Sequence, residues 1–166
     1  MGHSNIVLYE EEYQQIKTIL SRLNQEANAR VVFLVDKNGQ QIAACGEIEN
    51  LDTTSLASLT AGNVAATDGL AKLIGEKEFS ILFHEGERDN IHISLVGKRV
   101  ILVIIFDERS SLGLVRLRVK RASLELEKVF DTIVKKVEAE RQAQETGAAS
   151  PFAEITDEDI DNLFSS

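Results

Sequence analysis

Apolar positions along this chain change their period several times, and each change predicts an element. In residues 10–27, Tyr13, Ile16, Ile19, Leu20, Leu23 and Ala27 fall at the three- and four-residue steps of one helical stripe. Glu10, Glu11 and Glu12 open that helix, where the dipole favours acids, and are expected to be a solvated first turn; Asn28 is expected to end it. Val31 to Val35 is a β-branched run, Lys37-Asn38-Gly39 supplies a turn that tolerates positive φ, and Gln41 to Cys45 returns as a thin strand. A second helix follows from about Thr53 to Ile74, with Asp52, Thr53 or Thr54 available as its cap and Gly75 as its stop. Its Leu56, Leu59, Asn63, Ala66, Leu70, Leu73 and Ile74 carry the spacing expected of a buried face.

Three strands are predicted next, at Phe79–His84, Ile91–Val96 and Val100–Phe106, joined by connections of hairpin length. VILVIIF is apolar at consecutive positions, which predicts burial on both sides and a central place in a sheet. A long helix over 112–145 closes the pattern, capped by Ser110 or Ser111, its apolar stripe ending at Val137. The order α-β-β-α-β-β-β-α predicts an α/β (α+β) fold. In it a five-stranded antiparallel sheet carries the middle helix on one face and the outer helices on the other. Phe79–His84 would be an exposed edge, which invites pairing with a second copy.

Composition narrows the function. At 166 residues, 43% apolar and 27% charged, the chain suits one core. The single cysteine, Cys45, excludes an intramolecular disulfide and reads as a small buried hydrophobe. The opening MGHSNIVLYEEEY has no signal-peptide pattern and no run approaches a membrane span, so a cytoplasmic location is expected. The net charge is −9, and neither nucleic acid nor an anionic membrane is the expected partner. Enzyme motifs are missing: there is no phosphate loop, nucleophile elbow or zinc spacing, and neither a cofactor nor a metal is expected. His84 and His92 fall on neighbouring strands, His84 as an ordinary edge residue.

Three features remain. Ala57, Ala61, Ala65 and Gly69 form a row of small residues at steps of four along the middle helix, flanked by Asp68 and Lys72. Such a row lets another backbone approach closely, either the chain's own sheet or a partner. Arg116, Arg118, Lys120 and Arg121 make the start of the last helix basic, behind Arg109 on a loop. They form either a solvated, salt-bridged face or an anchor for an acidic partner. Finally, SPFAEITDEDIDNLFSS at 150–166 carries five acids and no base. Thr156 stands at an N-cap with Asp159 three places on, Ile155 and Ile160 form a hydrophobic staple, and Leu163 and Phe164 extend the apolar side. Two turns are too few to be stable alone, so the segment reads as one that folds on a partner.

VVFLVDKNGQ, TTSLASLTAGNVAA, GLAKLIGE, FDERSSLGLVRLRVKRAS and SPFAEITDEDIDNLF together resemble the bacterial MglB group of Roadblock (dynein light chain) domain proteins. The resemblance spans nearly the whole chain and implies a Roadblock domain over 1–145, a linker at 146–150 and a partner-binding tail at 151–166. It further implies a homodimer that activates the Ras-like GTPase MglA in front–rear polarity and motility, concentrated at a cell pole. No arginine is donated in that family, which would leave Arg109 structural. Carried onto this sequence, the GTPase-docking positions on the middle helix are Ala61, Ala65, Asp68, Gly69 and Lys72. Those on the tail are Phe152, Ile155, Ile160, Leu163 and Phe164. A non-catalytic scaffold that binds a GTPase or polarity proteins stays open as the alternative.

Overall fold

A computed structural model describes residues 9–146. They form α1 (Glu10–Glu26), β1 (Val31–Asp36), β2 (Gln41–Gly46), α2 (Thr53–Leu73), β3 (Ile81–Glu85), β4 (Asn90–Val96), β5 (Val100–Phe106) and α3 (Leu112–Thr146). The chain divides into two compact units inside α3, between Phe130 and Asp131. The described part of the second unit is helical, with residues 138–146 exposed throughout.

The five strands are antiparallel in the order β2-β1-β5-β4-β3, so β2 and β3 are the edges. Every residue of β1 and β5 is buried, as a consecutive apolar run requires when helices cover both faces. Strand alternation sorts the side chains. Val31, Phe33, Val35, Ile93, Ile101, Val103 and Ile105 form the core on the α2 face. Leu34, Leu102 and Ile104, also fully buried, point to the other face, with α1 and the first part of α3.

Local chemistry sets the boundaries. Asn28 at φ +52° closes α1: its N–H donates to the Gln25 carbonyl (3.2 Å) and Ala29 N–H to that of Asn24 (3.1 Å). Gly75 at φ +84° closes α2 the same way, with Glu76 N–H donating to the Ala71 carbonyl at 2.8 Å. Asp52 is the cap of α2 and accepts from Ser55 N–H at 3.0 Å. Ser111 caps α3 by accepting from Leu114 N–H at 3.2 Å, while Ser110 Oγ donates to the Ala27 carbonyl and ties the α3 entry to the end of α1. In the β1–β2 turn, Asp36 Oδ1 accepts from Asn38 N–H (2.9 Å) and Gln40 N–H (3.0 Å).

Two expectations are corrected. Glu12 is buried, so the first turn of α1 is not uniformly solvated. More consequentially, α2 meets the sheet with a different side than expected, although Leu56 does pack inward. Its inward positions are Ala57, Thr60 and Ala71, with Leu56, Ala61 and Val64 packed on the sheet core. Leu59, Leu70, Leu73 and Ile74, expected to be buried, are exposed. The reason lies across the interface. The sheet already presents Val31, Phe33, Ile101 and Val103, and a helix lying close to that bulk needs small side chains. Both faces of α2 have helical spacing, and spacing names a face without saying which way it points.

Candidate functional site

The outer side of α2 carries a group of exposed large apolar side chains. Leu59, Leu70, Leu73 and Ile74 are 72, 59, 83 and 70% exposed. A helix apolar on both sides normally lies between two packed layers; here only the sheet side is covered. Between the leucines lie small residues. Ala65, Ala66, Gly62 and Gly69 are exposed, and a Cβ placed on Gly62 or Gly69 would meet nothing within 4 Å.

The predicted site residues therefore separate. Ala65 and Gly69 stand open to solvent, and Lys72 beside them pairs with half-buried Asp68 (Nζ to Oδ2, 3.6 Å). Ala61 belongs instead to the inward set, against the core and beside the β1–β2 turn, where a Cβ on Gly39 would sit 3.6 Å from its own. For Ala57 and Ala61 the small-residue row packs on the chain's own sheet. The exposed leucines and Ile74 are the surface that sequence reasoning assigned to the interior. Phe152, Ile155, Ile160, Leu163 and Phe164 lie outside the described residues.

At the β3 end, Asn63 Nδ2 lies 3.1 Å from His84 Nε2, and Thr67 Oγ1 donates to the Asn63 carbonyl at 2.8 Å. His84, exposed on the edge strand, thus links β3 to the middle of α2.

Arg109 is held in a network. Its guanidinium pairs with Asp107 (Nε–Oδ1, 3.0 Å) and Glu47 (Nη1–Oε1, 3.4 Å). Arg30 shares Glu47 (2.9 Å) and reaches Asp89 (2.8 Å). Hydrogen bonds from the arginines hold the Asp107 and Glu47 carboxyls below their usual range and raise both guanidinium values. The Arg109 backbone is fixed too, its carbonyl accepting from Asn28 Nδ2 at 3.2 Å.

The basic start of α3 also divides. Arg118 pairs with Glu26 (3.7 Å), Arg121 pairs with Glu125 (3.4 Å), and Glu125 also receives Arg22. Arg116 and Lys120 are exposed beside a groove of about 380 Å³ whose lining includes buried His92 and Ser94. Burial and then the nearby Arg116 charge push the His92 pKa down, so the ring is neutral at pH 7. Sequence reasoning passed over His92 and Ser94 because alternating polar residues in a strand imply a solvent face. Cys45 is half-buried, and burial raises its thiol pKa, partly offset by Lys17, so it is a poor nucleophile. Among the described residues no cluster of three or more His, Cys, Asp or Glu could hold a metal, and no helix is long and apolar enough to cross a membrane.

The Roadblock/LC7 domain family matches residues 15–106, from α1 through β5. The solved structure of Myxococcus xanthus MglB is 62% identical, covering 77% of this chain and 96% of that one, with a TM-score of 0.73. This chain belongs to the MglB family of Roadblock/LC7 domain proteins. The gliding protein MglB from Thermus thermophilus is 36% identical over 76% of this chain and 96% of that one, also at a TM-score of 0.73. An MglB with a tetrameric arrangement is 34% identical over 77% and 96%, again at 0.73. No curated protein matches. As an MglB-family Roadblock domain, the fold has the sheet and three helices described above, with the outer side of α2 open.

Proposed function

We propose that this chain is a homodimeric activator of a small Ras-like GTPase of the MglA type, acting in cell polarity and motility. The observation that carries the reading is the outer side of α2. It is apolar, exposed and studded with small residues, in a chain 62% identical to Myxococcus xanthus MglB. The motility context is supported by the gliding-protein relative, and self-association by the relative with a tetrameric arrangement. Leu59, Leu70 and Leu73 supply desolvation energy at the docking surface, Ala65 and Gly69 allow close approach, and Asp68 and Lys72 form its polar rim.

The activator inserts no catalytic group. Its loop arginine, Arg109, is engaged by Asp107 and Glu47 and would have to leave both carboxylates to reach a nucleotide. An arginine finger accounts for roughly 10³–10⁵ in rate. The acceleration therefore comes from docking that repositions residues already in the GTPase. The chain is organised as a Roadblock domain over 1–145, a linker at 146–150 and a tail at 151–166. In the tail Phe152, Ile155, Ile160, Leu163 and Phe164 make a second, tethered contact that raises effective concentration.

The test is Ala65→Arg combined with Gly69→Arg. Both positions are open, so the fold tolerates them, and the bulk and charge block docking. The variant is expected to stay dimeric and to lose stimulation of GTP hydrolysis in a phosphate-release assay with the cognate GTPase. Full stimulation would overturn the assignment. Wild-type protein that binds the GTPase without accelerating hydrolysis would favour the scaffold reading.

A further inference from the structure

We propose that the groove between β4 and the start of α3 binds a small-molecule phosphomonoester, with Arg116 and Lys120 holding the phosphate and Ser94 and His92 completing its hydrogen bonds from the floor. The site lies on the sheet face away from α2 and stands independently of the GTPase-docking reading.

Strand alternation makes the floor. Ile93 packs into the core on the α2 side, so His92 and Ser94, its neighbours on β4, face the other way, toward α3. They are 1% and 5% exposed, yet the Ser94 Oγ and both His92 ring nitrogens have no hydrogen-bond partner among the described residues. A buried polar group left unpaired is destabilising, and folded proteins hold few of them. Two on one strand face, both lining a groove of about 380 Å³, mark the place of a polar ligand.

Helix α3 supplies the charge. Arg116 and Lys120 are four residues apart, so they share one side of the helix, and both line the groove. Neither has an ion-pair partner among the described residues, whereas Arg118 and Arg121 pair with Glu26 and Glu125. The chain has 27 acids against 18 bases, yet no acid lines the groove, so the local charge opposes that of the molecule. Both cations are exposed, and exposed side chains change rotamer fast enough to admit a ligand.

The donor set selects the ligand. A phosphomonoester carries about 1.5–2 negative charges at pH 7 and three strong acceptor oxygens. Two cations match that charge, whereas a carboxylate or a sulfate ester brings only one. Guanidinium, ammonium, hydroxyl and neutral imidazole all offer donors to the phosphate oxygens. Ile81 and Val119, also in the lining, give an apolar wall for the organic part. The volume falls within the roughly 300–1,000 Å³ of small-molecule sites.

The experiment is calorimetric titration of the full chain with phenyl phosphate in phosphate-free buffer. Saturable binding of one molecule per chain is expected, with displacement by inorganic phosphate. Phenyl sulfate, which carries a single charge, is expected to bind about tenfold more weakly or worse. Arg116→Gln with Lys120→Gln is expected to weaken phenyl phosphate binding by about tenfold or more, and Ser94→Ala by about threefold or more. Arg121→Gln, which removes a cation outside the groove, is expected to stay within about twofold of wild type. In heteronuclear NMR spectra, phenyl phosphate is expected to shift the His92 and Ser94 amides and leave those of Ala65 and Gly69 in place. No saturable binding at millimolar concentration, equal binding of phenyl sulfate, undiminished affinity in the double variant, equal loss in Arg121→Gln, or shifts confined to other amides would each overturn the proposal. Ala65→Arg with Gly69→Arg is expected to bind phenyl phosphate as the wild type does, so failure of the docking reading and failure of this one are separable.

Discussion

Helices α1 and α2 cover opposite faces of one sheet and solve the task differently. α1 buries Ile16, Ile19, Leu20 and Leu23 and shows solvent a polar exterior of Gln14, Gln15, Lys17 and Thr18. α2 fully buries only Ala57, Thr60 and Ala71, packs Leu56 and Val64 partly buried on the sheet, and turns Leu59, Leu70 and Leu73 outward. The first helix is finished by its own domain. The second leaves several large apolar side chains in water, forgoing the roughly 25 cal/mol per Å² that burial supplies, and the docking proposed above would cover them. Two helices of one small fold thus differ in how completely the chain itself buries them.

The largest expected effect that tests this contrast is on folding. Leu20→Ala, in the fully buried stripe of α1, should cost about 2–5 kcal/mol. Leu73→Ala, at an equivalent residue type on the outside of α2, should stay within about 0.5 kcal/mol. Urea denaturation of both variants checks the pair, and similar losses would erase the distinction. Next, Leu70→Lys with Leu73→Lys should leave the urea midpoint nearly unchanged but weaken GTPase binding by at least about 2 kcal/mol, as for centrally placed apolar anchors. Calorimetric titration reads this, and wild-type affinity would place the docking surface elsewhere. Ala57→Leu enlarges the inward side of α2 against packed sheet residues, and overpacking should cost about 1–3 kcal/mol. An unchanged midpoint would mean that α2 sits more loosely than described.

The smallest effect concerns the other face of the sheet. The folded-state pKa of His92 is depressed below the ordinary 6.5, so below that pH the unfolded chain binds a proton that the native chain refuses. Stability should therefore be flat above about pH 6.5 and fall as pH drops further, until the native ring also titrates. His92→Gln should flatten that part of the profile. Melting temperatures of both proteins between pH 7.5 and 5 check it, and parallel curves would show that His92 is not the group responsible.

Much of the fold was legible one residue at a time. Asp52, Asn28, Gly75 and Ser111 act on backbone groups within a few residues of themselves, so their roles follow from local sequence. The all-apolar VILVIIF could only be a central strand. The candidate site was less legible. Ala65 and Gly69 stand on the open side of α2, but Ala61 does not, and Leu59, Leu70, Leu73 and Ile74 are the apolar part of that surface. Arg116 and Arg118 look alike in sequence; Arg118 meets Glu26 and Arg116 overhangs the groove.

By itself, the sequence determined which residues share a helical stripe or a strand face, where most elements start and stop, and that the strands order into an antiparallel sheet, while β3 runs over Ile81–Glu85 rather than the expected Phe79–His84. These depend on backbone geometry and on neighbours close along the chain. Only the tertiary structure decided which stripe of α2 turns inward and which cations find acids. Those outcomes depend on the volume and charge already present on elements folded against them, far away in sequence. The bulk of Val31, Phe33, Ile101 and Val103 drew Ala57, Ala61 and Ala71 of α2 to the inside and left Leu59, Leu70 and Leu73 exposed.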